Sequence, residues 1–288
     1  MLDPSIRAED LERFYDQSNW APNMQALIAR YRLLSDAARS ATGEPARMSY
    51  GTGDQERCDL YRTDRQNAPV VIFVHGGGWR EGSARQYGFP AAMLVAAGVH
   101  FVALDFSSAA DTNGNLSILV EQVRRAVAWV RSNCGSFGGD PSRLHLVGHS
   151  SGAHLAAMAL STHWADDGVS ANVIRSALLV SGIYDLGPLR CTSRANQVLI
   201  DDDVERLLSP LHQIGRLATP LLLAVGSAES PEFQRQTHEY AKAVAGSGVP
   251  ANVIVGETYH HFDILETLGN PYGLLGRRLL GLVHAENR

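Results

Sequence analysis

The sequence GHSSG at residues 148–152 constrains this chain more than any other segment, because of what stands on either side of it. It directly follows the apolar run at residues 144–147 and opens a segment rich in Ala, Leu and Met, so a strand, a sharp turn and a helix are predicted in succession. In that context the pattern Gly-x-Ser-x-Gly is typical of a turn that holds its central serine in a strained conformation, with the hydroxyl clear of the sheet. Ser150 is therefore the candidate nucleophile.

A second glycine-rich segment lies upstream of the first, and it too directly follows a predicted strand. Residues 70–74 predict a buried strand, and they run into the sequence HGGGW at residues 75–79. A glycine loop at this place lets backbone N–H groups point at a developing oxyanion, with Gly77, Gly78 and Ser151 as the expected donors. Two such segments, each behind its own strand, predict the α/β-hydrolase fold, a mostly parallel central sheet with helices on both faces.

The rest of the chain fits a single α/β domain over residues 1–288. Residues 1–40 predict an N-terminal helical segment, and from residue 70 strand-like and helix-like runs alternate as in stacked βα units. Residues 186–218 break this alternation, because they carry polar clusters and no convincing strand, and we expect them to form a small lid insertion over the active site. Within them, the acidic triplet at residues 201–203 predicts a solvated helix start and not a metal site.

Composition excludes several classes of partner. Apolar residues make up 45% of the chain and charged residues 19%, which fits a globular protein with a sizeable core. The formal net charge is −5 and no basic block is present, so neither nucleic acid nor an anionic membrane is an expected partner. The sequence has no bilayer-spanning apolar run, no signal-peptide pattern and only three widely spaced cysteines. These features predict a cytoplasmic protein, and they are compatible with a homodimer.

A serine nucleophile needs a base to accept its proton and a carboxylate to orient that base. In this fold the acid follows a late strand and the base lies in the last loop. The loop after the predicted strand at residues 221–225 offers two candidates, Glu229 in the turn itself and Glu232 in the first turn of the next helix. The helix dipole already accounts for a carboxylate in a first helical turn, so Glu229 is favoured as the acid.

The last loop contains two adjacent histidines, His260 and His261. Consecutive residues project in different directions, and physical argument from the sequence alone does not separate them. His261 is favoured because it stands at the mouth of a helix predicted from residue 262. No zinc-ligand spacing such as His-Glu-x-x-His is present, so neither a metal nor another cofactor is expected.

With these residues identified, the chain resembles the serine-dependent arylformamidases, or kynurenine formamidases, of the α/β-hydrolase fold. The likeness runs over most of the length, from LERFY at residues 11–15 to HF at residues 261–262. It is strongest in GHSSGAHLAAM at residues 148–158, and ESPEF at residues 229–233 is its more family-specific segment. The resemblance implies that Glu229 is the acid and His261 the base.

The chain departs from the family pattern at several site positions. The family acid is usually Asp, whereas Glu229 is one methylene longer. The family's glycine loop commonly carries Tyr where this chain has Gly78, and its elbow carries Ala where this chain has Ser151. The sequence DFSSAA at residues 105–110 replaces a segment expected to resemble Tyr-x-x-x-Pro. The chemistry is expected to be kept, while the substrate is less constrained.

These observations predict a serine hydrolase that cleaves an aryl N-formyl amide, N-formylkynurenine or an analogue, to formate and the aromatic amine. Trp79, Phe106 and Tyr184 are the candidates to flank the aromatic leaving group. The alternative is a carboxylesterase or amidase acting on another small aryl or alkyl acyl compound, which Gly78 and residues 105–110 favour. A hydrolase-fold protein that binds a ligand without turnover is disfavoured, because every part of the machinery is present in the sequence.

Overall fold

The computed structural model describes residues 7–162, 164 and 173–285. In these residues eight strands form one sheet, and their bounds are Ala46–Ser49 (β1), Arg57–Tyr61 (β2), Ala68–Val74 (β3), His100–Leu104 (β4), Gly139–His149 (β5), Ser176–Val180 (β6), Leu221–Gly226 (β7) and Ala251–Gly256 (β8). The strand order is β1-β2-β4-β3-β5-β6-β7-β8. The strands β1 and β2 pair antiparallel, as does β2 with β4, and all other pairs are parallel. This is the mostly parallel sheet that the sequence predicts.

The α-helices of the described residues are Ala8–Tyr15 (α1), Met24–Thr42 (α2), Ala91–Ala96 (α3), Leu116–Asn133 (α4), Ser151–Leu160 (α5), Asp202–Leu208 (α6), Pro231–Gly246 (α7), Asp263–Glu266 (α8) and Leu274–Val283 (α9). Helix α4 forms because apolar side chains recur every three or four residues, and Leu116, Leu119, Val123 and Val127 on this stripe are fully buried. The sequence analysis does not predict helix α3. None of these helices is long and apolar enough to cross a membrane.

Two hydrophobic cores lie on opposite faces of the sheet. Along β3, Val70 and Ile72 belong to the core that includes α4, α5 and α7, while Val71 and Phe73 belong to the core that includes α3 and α9. Successive side chains of a strand point to opposite faces, and here both faces are covered. Both residue parities must therefore be apolar, which is why the strand reads as a continuous apolar run.

The segment over residues 186–218 contains short 3₁₀ turns and α6, and no strand. The acidic triplet begins α6, where the Asp201 carboxylate caps the helix by accepting a hydrogen bond from the Val204 N–H at 2.8 Å. This confirms the helix start predicted there. Across the described residues, no group of three or more potential metal ligands comes together.

Candidate active site

Ser150 lies in the sharp turn between β5 and α5. Its φ of 55° and ψ of −125° are values that residues other than glycine rarely adopt, so the surrounding structure must hold the turn. The Ser150 N–H donates to the Val180 carbonyl oxygen at 2.9 Å, which ties the turn to the end of β6. A Cβ at Gly152 would collide with the carbonyl oxygens of Val74 and His75, so only glycine lets α5 approach β3 this closely. The result is a serine hydroxyl presented at the carboxyl end of the sheet.

His261 joins this serine to a carboxylate. Its Nε2 lies 2.9 Å from Ser150 Oγ, and its Nδ1 lies 2.8 Å from Glu229 Oε2. An ionised carboxylate only accepts hydrogen bonds, so it selects the tautomer with the proton on Nδ1 and leaves Nε2 free to accept the hydroxyl proton. All three side chains are buried. The structure thus brings together the three residues that the sequence analysis selects as catalytic.

Glu229 is oriented through its other carboxylate oxygen. Oε1 accepts hydrogen bonds from the Ser181 hydroxyl at 2.6 Å and from the Gly226 N–H at 2.7 Å. Ser181 directly follows β6 and Gly226 ends β7, so the ends of two adjacent strands fix this carboxylate. One oxygen of Glu229 is thus held by the strand ends while the other faces the imidazole.

The two rejected candidates make other contacts. Glu232 lies in the first turn of α7, as predicted, but it is also buried and accepts a hydrogen bond from the Tyr15 hydroxyl at 2.8 Å. His260 directs its Nε2 to Asn23 Oδ1 at 2.9 Å. Neither side chain is hydrogen-bonded to Ser150 or to the His261 ring, so Glu229 and His261 are the pair that the geometry favours.

The glycine loop borders Ser150 as an oxyanion site requires. The N–H groups of Gly77 and Gly78 have no hydrogen-bond acceptor within the described part of the chain, and Ser151 is the first residue of α5, where an N–H has no intrahelical partner. The loop is fastened to the turn by the Trp79 N–H, which donates to Ser151 Oγ at 3.1 Å. This bond gives the Ser151 hydroxyl a role that the sequence analysis does not identify.

A cavity of about 250 Å³ opens beside Ser150 and His261. This volume lies below the roughly 300–1,000 Å³ of pockets for drug-sized ligands, so the cavity suits a small substrate. Its wall combines the glycine loop with residues far away in sequence, namely Tyr15, Asp16, Met24, Ile28, Arg32, Ile183, Arg194 and Phe233. Sequence reasoning misses most of this wall, although the family likeness at residues 11–15 signals that the N-terminal segment has a role in the site.

Of the three predicted substrate-binding residues, only Trp79 lines this cavity. Phe106 stacks on His75 with ring centroids 4.4 Å apart and lines a different, smaller cavity. Tyr184 is buried and stacks on Tyr240 at 4.3 Å, while its neighbour Ile183 reaches the cavity wall. Phe106 and Tyr184 therefore pack within the protein, and the structure does not place either against the aromatic part of a substrate.

The histidines next to the site are held neutral by burial. Burial, together with the nearby His261, lowers the pKa of His149 well below its ordinary value, and burial also lowers the pKa of His75. The His149 Nε2 lies 2.9 Å from the His261 carbonyl oxygen, a contact that requires the proton on Nε2. These rings therefore shape the site, and the positive charge in the cavity comes from its arginines.

Known proteins resemble this chain in sequence over most of its length. The BD-FAE family model matches residues 58–230. The kynurenine formamidase of Danio rerio is 34% identical over 97% of this chain and 97% of its own length, and that of Salmo salar is 34% identical over 91% and 92%. Esterase LipQ of Mycobacterium tuberculosis is 26% identical over 80% of this chain and 60% of its own length.

Solved structures show the same fold. A Silicibacter protein described as a candidate thioesterase superposes with a TM-score of 0.83 at 24% identity, covering 96% of this chain and 99% of its own. A hyperthermophilic esterase from Pyrobaculum calidifontis superposes with a TM-score of 0.71 at 20% identity, covering 98% and 97%. At these identities the likeness establishes the α/β-hydrolase fold.

Proposed function

This chain belongs to the kynurenine formamidase family of α/β-hydrolases, and from that membership we propose that it hydrolyses an aryl N-formyl amide, N-formylkynurenine or a close analogue. The observation that supports the reaction type best is the hydrogen-bonded chain from Ser150 through His261 to Glu229, at 2.9 and 2.8 Å, beside a small cavity. The named activity of the two fish relatives supports formyl amides as the substrate class.

In the first half of the reaction, Ser150 Oγ attacks the formyl carbon while its proton passes to His261 Nε2. The ionised Glu229 stabilises the imidazolium that forms. The negative oxygen of the tetrahedral intermediate faces the N–H groups of the glycine loop and of Ser151, and each such donor lowers the barrier by about 3–4 kcal/mol in other acyl-transfer enzymes. His261 then protonates the aniline nitrogen, the C–N bond breaks, and the aromatic amine leaves a formyl ester on Ser150.

In the second half, water attacks the formyl ester and gives its proton to His261. Collapse of the second tetrahedral intermediate releases formate, and the proton returns to Ser150 Oγ. Every proton transfer in this scheme has its donor and acceptor among Ser150, His261, water and the substrate, so the proposal calls for no metal or other cofactor.

We also propose that the enzyme is a single domain acting in the cytoplasm, with residues 186–218 and the N-terminal segment together covering the site. Two contacts support this joint cover. The Glu12 carboxylate accepts hydrogen bonds from the Ser193 N–H and hydroxyl, each at 2.6 Å, and Arg194 and Tyr15 line the same cavity.

A carboxylesterase is the second candidate, because the same groups would cleave an ester and the chain is also similar to an esterase. The test compares purified protein on N-formylkynurenine and on p-nitrophenyl acetate, with formate and nitrophenolate as the readouts. We expect kcat/KM for the formamide to exceed that for the ester, and Ser150→Ala to abolish both activities. Ester hydrolysis without formate release from N-formylkynurenine would reject the formamidase proposal and leave the esterase.

A further inference from the structure

Arg194 contributes a half-buried guanidinium to the wall of the active-site cavity. Its backbone N–H donates to Thr192 Oγ1 at 3.3 Å, but its side chain makes no hydrogen bond and no ion pair with any residue that the structure describes. Two other arginines of the same segment are paired, since Arg190 contacts Asp202 at 2.6 Å and Arg206 contacts Asp203 at 2.7 Å. Arg194 is therefore a partly desolvated cation without a direct partner among the described residues.

A second arginine lies close to it. Arg80, which follows the glycine loop, also has no side-chain partner within the described ranges. A Cβ built on Gly78 would lie 2.5 Å from Arg194 Nη1 and 3.9 Å from Arg80 Nε, so the two guanidinium groups approach the same point of the oxyanion loop. Burial, followed by the positive charge of Arg80, lowers the pKa of Arg194 from its ordinary value.

The carboxylates near these arginines are those of Glu12, Asp16 and Glu81, and within the described ranges none of them forms an ion pair with Arg194 or Arg80. Glu12 accepts the two hydrogen bonds from Ser193, and Asp16 accepts from the Ser18 N–H at 3.0 Å and from its hydroxyl at 2.7 Å. The negative charges of Glu12 and Asp16 oppose the lowering of the Arg194 pKa, but neither carboxylate pairs with the Arg194 side chain. Two adjacent cations that form no ion pair with any residue of the described ranges favour binding of an anion, and the planar guanidinium is suited to a carboxylate.

We infer that Arg194, with Arg80 beside it, binds a carboxylate of the substrate while Ser150 attacks the acyl group in the same cavity. The substrate class is then an aryl formamide or ester that carries a carboxylate on the part of the molecule away from the scissile bond. This inference rests on the proposed function for the reaction type. In it, Arg194 is the residue that distinguishes substrates with a carboxylate from neutral substrates that have the same scissile bond.

Gly78 makes this arrangement possible. Its φ of 62° lies in the left-handed region, and any side chain at this position would occupy the space that the Arg194 guanidinium fills. Gly78, which is expected to supply an oxyanion N–H, thus also leaves room for the Arg194 guanidinium. The acyl group and the carboxylate of the substrate would then be held on either side of one backbone loop.

The first experiment compares N-formylkynurenine with 2′-formamidoacetophenone, which keeps the aryl ketone and the formamide but lacks the charged amino-acid group. The measured quantity is the ratio of kcat/KM for the charged over the neutral substrate. We expect Arg194→Gln to lower this ratio about tenfold or more, mainly through the KM of the charged substrate, as loss of a charged hydrogen bond does. Arg194→Lys should recover part of the ratio because it keeps the charge.

The matched control is Arg190→Gln, which removes a positive charge from the same segment at a side chain that is already paired with Asp202 and Glu205. This variant should keep the wild-type ratio. An Arg194→Gln ratio within about twofold of wild type would overturn the inference. A fall of equal size in Arg190→Gln would also overturn it, because the effect would then come from general charge and not from the cavity.

The second experiment does not depend on formamide turnover. It measures inhibition of p-nitrophenyl acetate hydrolysis by 3-benzoylpropionate and by valerophenone, a neutral aryl ketone of similar size that has no carboxyl group and no bond that the enzyme could hydrolyse. The carboxylate should inhibit more strongly in wild type, and Arg194→Gln should remove that preference. If this result is obtained while N-formylkynurenine is not cleaved, the proposed function fails and the anion site stands. Equal inhibition by the carboxylate and by the neutral ketone in wild type overturns the anion site, whatever the formamidase result.

Discussion

The active site joins two regions that are built in different ways, a floor and a cover. The floor consists of Ser150, Glu229 and His261, with the glycine loop at residues 75–79, and each part follows the carboxyl end of a strand. The cover consists of the end of α1 and the segment around Arg194, which contact each other through side-chain bonds such as Glu12 to Ser193. In our proposal the floor supplies the reacting groups, while the cover supplies the shape and charge that a substrate meets.

This difference has a physical consequence for mutation. A floor residue is held by backbone geometry at strand ends, so replacing it removes a reacting group and leaves its surroundings in place. A cover residue is held by a few side-chain hydrogen bonds, so replacing it loosens a contact between distant segments. Floor variants should therefore lose kcat, whereas cover variants should change KM and stability.

The largest expected effect is that of Ser150→Ala. The hydroxyl is the proposed nucleophile, and its removal opens only a small space, so kcat should fall about 10⁶-fold while the protein stays folded. Formate release and circular dichroism of the variant check both statements. A folded variant with activity within about tenfold of wild type would contradict the assignment.

Replacement of the base should cost nearly as much. His261→Ala removes the group that lies 2.9 Å from Ser150 Oγ, and we expect a loss of about 10⁴-fold or more in kcat. His260→Ala is the matched control, because the neighbouring side chain bonds to Asn23 and should cost less than about tenfold. If the two variants exchanged their effects, His260 and not His261 would be the base.

Glu229→Gln should lower kcat by about 10³-fold to 10⁴-fold, because the neutral amide no longer stabilises the imidazolium. Glu229→Asp should lose an intermediate amount of activity, since it withdraws the carboxylate by about 1.5 Å. The shorter side chain cannot at once reach His261 and keep the hydrogen bonds that Ser181 and Gly226 donate to the other carboxylate oxygen. Steady-state kinetics of the two variants measures this series. An aspartate variant as active as wild type would show that the loop is not shaped for the longer side chain.

A smaller effect is expected in the cover from Tyr15→Phe. The Tyr15 hydroxyl donates to Glu232 at 2.8 Å and accepts from Gln236 Nε2 at 2.7 Å, so its loss should lower the free energy of unfolding by about 1–2 kcal/mol. KM should rise a few-fold with little change in kcat. Urea unfolding and kinetics test this, and a large fall in kcat at constant KM would mean that the cover takes part in chemistry.

The variant with the smallest expected effect on activity lies outside the site and changes how the free energy of unfolding depends on pH. Burial lowers the pKa of His145 to about 3 and that of His154 to about 4, whereas both are near 6.5 in the unfolded chain. The unfolded chain therefore takes up more protons as the pH falls below about 6.5, and each histidine should cost about 2 kcal/mol of stability at pH 5 relative to pH 7. His145→Gln, outside the site, should reduce the loss of unfolding free energy between pH 7 and pH 5 by that amount. An unchanged loss would contradict the proposed source of the acid sensitivity.

The floor could be predicted from the sequence because its signals are local. A strand followed by a glycine-flanked serine specifies a turn, and the order of the later loops left only pairs of neighbours to choose between, Glu229 or Glu232 and His260 or His261. The structure brings the favoured member of each pair to Ser150. Phe106 and Tyr184 were wrongly expected at the cavity, because nothing in a local pattern reveals which way a loop aromatic will pack.

The cover could not be predicted for the same reason. Tyr15 and Glu232 are 217 residues apart in the chain, and a hydrogen bond between them has no local pattern. The lid expected at residues 186–218 rests on missing strand character alone, which does not specify that Arg194 lines the same cavity as Ser150. Whether Arg194 forms an ion pair depends on where Glu12 and Asp16 lie in the fold, which no local pattern specifies.

The central claim is that Ser150 carries the formyl group during turnover, and labelling by phenylmethanesulfonyl fluoride tests it most directly. Peptide mass spectrometry locates the label while formate release from N-formylkynurenine is measured in the same samples. We expect the label on Ser150, a fall in formate release in proportion to labelling, and slowing of both by N-formylkynurenine. Full labelling of Ser150 with formate release unchanged, or loss of activity with the label on another residue, would contradict it.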